Sequence, residues 1–71
     1  VIKYKIDIMG ALKAAGYSSY KLRKDNIFGE ATMTKFRRKE HINFDNLNLL
    51  CKLLNCQPSD IIEYVPDDTN N

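Results

Sequence analysis

The strongest constraint on this chain is how short its apolar periods are. Residues at helical spacing appear in brief stretches, and each stretch is cut within about three turns by a turn-forming residue. Ile8, Ala11, Leu12 and Ala15 fall at i, i+3, i+4 and i+7, and Gly16 follows them as a stop. Ser18 or Ser19 can cap a second, short helix that carries Tyr20, Leu22 and Arg23. Asp25-Asn26-Ile27-Phe28-Gly29 breaks the period and reads as a tight turn. A third helix is predicted from about Glu30 to Arg38, with Met33 and Phe36 inward and Ala31, Thr32, Thr34 and Lys35 outward. Asn43 or Asp45 starts a fourth, whose buried stripe is Leu47, Leu50, Cys51 and Leu54 and which ends at Asn55-Cys56-Gln57. Pro58 then suits the first position of a fifth helix, with Ile61, Ile62 and Tyr64 inward. The opening Val-Ile-Lys-Tyr-Lys-Ile nearly alternates, as a short strand or an extended arm does.

A chain of 71 residues has room for one small core. The expected architecture is therefore an all-α, compact five-helix domain over residues 7–66, with an extended arm at 1–6 and a disordered tail at 67–71. Tyr20, Leu22, Met33, Phe36, Leu47 and Leu50 are assigned to the core. No apolar run approaches the roughly 20 residues of a membrane helix, so a soluble cytoplasmic protein without a membrane partner is expected. Cys51 and Cys56 fit neither a disulfide framework nor a zinc pattern, because His41 is the only histidine. The expectation is two packed thiols, no metal and no cofactor. One histidine without a paired nucleophile, a phosphate loop or a metal cluster also argues against an enzyme with a small-molecule substrate.

Net charge is only +2, but it is unevenly placed. Residues 21–39 hold seven basic side chains against two acidic ones, a local charge of +5. Residues 45–71 hold one lysine against five carboxylates, a local −4. A basic middle segment joined to an acidic end suggests one face built for a polyanion.

The pieces also match a known pattern in order and spacing. AAGYSSYKLRKD at residues 14–25, ATMTKFR at 31–37, INFDNL at 42–47 and LCKLLNCQPSDIIEYVP at 50–66 resemble the Cro/phage-repressor (XRE-like) helix-turn-helix family. They are most similar to a subgroup of small bacterial regulators. The resemblance implies sequence-specific binding of double-stranded DNA by a transcriptional regulator, most often a repressor, with the third helix in the major groove. It places Glu30, Ala31, Thr32, Thr34 and Lys35 at base edges, and Ser18, Ser19, Lys21, Arg38, Lys39, His41 and Asn43 at phosphates. A homodimer is implied, through Leu49 and Leu53 or through the Val1–Ile6 arm. The rival reading is a protein-interaction module, such as an antitoxin or phage-control partner; RNA binding is weaker, since no aromatic stacking platform is evident.

Two positions depart from the pattern. Ile27 aligns where family members often carry Gly or Asn in the turn, so the neighbouring Asn26 is expected to take the left-handed conformation. Arg38-Lys39 stands where Asn-Gly often follows the recognition helix.

Overall fold

The computed structural model describes residues 1–67. Four α-helices form a bundle: α1 (Ile8–Ala14), α2 (Ser19–Lys24), α3 (Glu30–Arg38) and α4 (Phe44–Leu54). A 3-10 turn at Pro58–Asp60 follows, and strands β1 (Ile2–Tyr4) and β2 (Ile62–Tyr64) pair antiparallel, with Ile2 opposite Tyr64 and Tyr4 opposite Ile62. The fold is thus mostly helical rather than all-α, and the expected fifth helix is not formed. Gln57 and Asp60 close a capping box around one tight turn that begins at Pro58. Beyond it, Ile61-Ile62-Glu63-Tyr64 offers β-branched and aromatic residues that pair with the N-terminal segment more readily than they coil. Ile61 is fully buried as expected and Ile62 half-buried, but Tyr64 is exposed. Of the anticipated tail, residues 68–71 lie outside the described part.

Nine described side chains make the core: Ile8 and Leu12 of α1, Leu22 of α2, Phe28 of the turn before α3, Met33 and Phe36 of α3, Leu47 and Leu50 of α4, and Ile61. Phe28 was expected only as part of a turn. It inserts instead against Phe36, edge to face with centroids 5.0 Å apart. Tyr20, by contrast, does not belong to the core and is 68% exposed. It lies two residues from Leu22, about 200° around a helix, so burying Leu22 turns Tyr20 to solvent. Its ring carries the Lys24 ammonium 5.8 Å away. Cys51 and Leu54 are half-buried, as are Leu49 and Leu53, which pack against the core rather than standing free.

Each helix ends in the same way. An N–H two or three residues past the last helical residue reaches back over the final turn: Tyr17 to Leu12, Ile27 to Leu22, Glu40 to Lys35 and Cys56 to Cys51, at 2.8–3.0 Å. This is the Schellman closure, and it needs one left-handed residue per helix. Gly16, Asn26, Lys39 and Asn55 supply it, each with positive φ. Asn26 therefore takes the strained position beside Ile27, as its chemistry led us to expect.

At three of these ends the closing pair is apolar or thiol (Leu12 and Tyr17, Leu22 and Ile27, Cys51 and Cys56), the residue types whose contact usually accompanies the motif, and Tyr17, Ile27, Cys51 and Cys56 all pack against the core. This accounts for the cysteine pair. Both are free thiols. Burial, followed by the nearby charges of Cys51 and Asp60, pushes the Cys56 thiol above its ordinary range. Less thiolate is then present at any given pH. Cys56 should alkylate with iodoacetamide more slowly than free cysteine at neutral pH and quicken only in alkali, with reductant leaving the melting temperature unchanged. Rapid alkylation of Cys56 at neutral pH would refute the assignment.

The fourth end, after α3, is different. Lys39 holds φ 59° and ψ 37°, a left-handed conformation that glycine adopts freely and a lysine does not. A left-handed non-glycine residue costs roughly 1 kcal/mol. Lys39→Gly is expected to raise stability by about that amount in urea denaturation, while removing one cation from the surface. No gain in the midpoint would show that the lysine is unstrained there.

Candidate nucleic-acid interface

Because α3 buries Met33 and Phe36, the residues opposite them must face solvent. At 100° per residue these are Ala31, Lys35 and Arg38, spaced i, i+4 and i+7, and all three are exposed. Together they form a straight ridge along the free side of α3. Thr32 and Thr34 flank the ridge on opposite sides and are half-buried, so they are less outward than the sequence suggested. The turn between α2 and α3 is short, and Gly29 starts α3 with extended backbone. Packing of Leu22, Phe28 and Met33 in one core fixes α2 behind α3 and leaves the ridge uncovered.

Glu30 has a structural task that sequence reasoning did not reveal. Its two carboxylate oxygens meet Arg23 of α2 at 3.2 Å and Arg37 of α3 at 3.5 Å. All three side chains are about half exposed, so the energy is small. The geometric effect is to hold two arginines beside the ridge and to tie α2 to α3. With one arginine at each oxygen and more than half of its surface exposed, the carboxylate keeps acceptor sites for a further donor. The seven-residue separation of Arg23 and Glu30 spans the turn and carries no helical periodicity, so only the three-dimensional placement of α2 shows the pair. Arg38 reaches Glu40 only loosely, at 3.9 Å, and remains 70% exposed.

The remaining candidates gather at helix starts and around the exit of α3. Ser18 is the cap of α2, its hydroxyl accepting from the Lys21 N–H at 3.2 Å. That leaves the Ser19 hydroxyl, in the first turn, without a capping role. Lys21 lies over the Tyr17 ring, 5.8 Å from its centre. Asn43 caps α4 by accepting from the Asn46 N–H at 2.8 Å, which settles the choice between Asn43 and Asp45. Its amide nitrogen stays available as a donor. Lys39 and His41 are exposed in the connection from α3 to α4. The Tyr4 hydroxyl donates to the Glu40 carbonyl at 2.6 Å, so the sheet buttresses that connection from outside the bundle. Burial lifts the Tyr4 phenol above its ordinary range, which keeps the donor protonated.

Exposed donors and cations of one sign on a single helix, with capped helix starts on either side, suit a grooved polyanion. Among the described residues no group of three or more His, Cys, Asp or Glu is placed to hold a metal ion. No described helix is long and apolar enough to cross a membrane. Residues 8–67 match the family model described as the Cro/C1-type HTH DNA-binding domain. No curated protein and no solved structure matches the chain.

Proposed function

The chain belongs to the Cro/C1-type helix-turn-helix DNA-binding family, and from that premise we propose that it is a bacterial, cytoplasmic transcriptional repressor that reads double-stranded DNA in the major groove. The observation that carries this reading is the exposed Ala31–Lys35–Arg38 ridge opposite the buried face of α3. Lys35 reads a base edge, Ala31 approaches a thymine methyl, and Thr32 and Thr34 touch bases from the flanks. Glu30 accepts from a cytosine amino group through an acceptor site left beside Arg23 and Arg37. Ser18, Ser19 and Lys21 hold the phosphate strand at the start of α2, and Arg38, Lys39, His41 and Asn43 hold the other at the exit of α3. A single unit of this kind spans few base pairs, so a homodimer on half-sites about 34–36 Å apart completes the proposal.

Selection from a random duplex pool should enrich an inverted repeat, and affinity for the selected site should fall steeply with salt. A protein-interaction module predicts the opposite. It yields no enriched sequence and tolerates loss of Lys35, Arg38 and Lys39 together.

A further inference from the structure

The exit of α3 borders a groove whose apolar lining the DNA reading does not use, although Lys39 and His41 at its rim are proposed phosphate contacts. It lies between the apolar face of the sheet and the start of α4 and encloses about 350 Å³. Pockets of roughly 300–1,000 Å³ lined mainly by apolar groups are the size that takes small molecules. Ile2 and Ile62 of the sheet, Ile42 and Phe44 around the start of α4, and Leu47 of α4 supply its apolar lining. The groove is uncovered: Ile2 is 47% and Phe44 85% exposed. Besides Tyr4, whose hydroxyl is engaged by the Glu40 carbonyl, its polar lining is basic: Lys3, Lys39 and His41 contribute, and no acidic side chain does among the described residues.

An apolar body with a negative head satisfies both halves of that lining. We propose that the groove is an effector site for a free medium-chain aliphatic carboxylate, whose head group engages Lys39 and His41. Neither a neutral nor a cationic chain of equal length answers the cationic rim. Occupancy removes Lys39 and His41 from the phosphate strand, so the carboxylate weakens DNA binding. The coupling rests on the DNA-binding reading; the ligand site does not.

Decanoate, kept below its micelle concentration, is titrated into the free chain by heteronuclear NMR. Saturable one-to-one binding is expected, with shifts centred on Ile2, Ile42 and Phe44. Decanol and decylamine should bind about tenfold more weakly or worse. Ile2→Glu places a carboxylate in the wall at a half-exposed position and should lower decanoate affinity by about tenfold. Phe44→Ala removes a wall at an exposed one, so it keeps the fold and should also weaken binding. On DNA, saturating decanoate should raise the Kd of the wild type about fivefold or more. It should leave Ile2→Glu unchanged, and that variant binds DNA normally without ligand. Absence of saturable binding, equal binding of decanol, or groove shifts that follow protein concentration because a second copy covers the site would each overturn the proposal. Decanoate binding by a chain that does not bind DNA would uphold the ligand site and overturn the coupling alone.

Discussion

Leu50→Ala should cost about 2–5 kcal/mol and leave the domain largely unfolded at physiological temperature. Leu50 has no exposed surface and sits in the middle of α4, the longest helix. Truncation removes its transfer energy and leaves a cavity that eight other core side chains cannot readily close. A domain of this size has little in reserve, since native stability runs at roughly 0.05–0.15 kcal/mol per residue. The predicted loss is thus a large part of the total. Phe44→Ala on the same helix is the matched control, because an 85% exposed ring contributes little packing. Thermal and urea denaturation followed by circular dichroism should separate the two variants widely. Equal midpoints would mean that α4 does not pack through Leu50.

The residues that were legible in the sequence are those whose role is set locally. Leu12, Met33, Phe36, Leu47 and Leu50 repeat at helical spacing, and all are buried. Gly16 and Asn26 announce left-handed helix ends because their chemistry tolerates positive φ. Lys39 carries no such signal, so the closure after α3 had to be seen. Tyr20 was misplaced because a six-residue helix holds too little period to choose between it and Leu22. The C-terminal segment failed for another reason. Ile61 to Tyr64 is a short apolar run that suits helix or strand, and pairing with residues more than fifty positions away decides between them. The candidate site divides along the same line. The spacing of Ala31, Lys35 and Arg38 is local and readable, whereas the Glu30 link to Arg23 depends on how α2 crosses α3.

That division bears on which basic side chain reads sequence. Lys35 stands in the middle of the ridge, which in the proposed complex is the part deepest in the groove, and it has no ion-pair partner among the described residues. Arg38 ends the ridge and is loosely held by Glu40; in the proposed complex it lies where the chain leaves the groove beside a phosphate strand. Losing a base contact should cost roughly 1–3 kcal/mol and relax preference at one position, while losing a phosphate contact weakens all sequences alike. Lys35→Ala is therefore expected to flatten discrimination at a single base pair of the selected site. Arg38→Ala should preserve the preferred sequence and reduce the slope of log affinity against log salt by about 0.9. Glu40→Gln frees Arg38 from its surface partner and should raise affinity slightly at low salt. Titrations on matched and mismatched duplexes at several salt concentrations distinguish these outcomes. If Lys35→Ala changes only the salt slope, Lys35 is a phosphate contact, and base reading passes to Ala31 and the flanking threonines. If both variants show small, equal effects, the ridge is a solvated surface and the proposed interface is wrong.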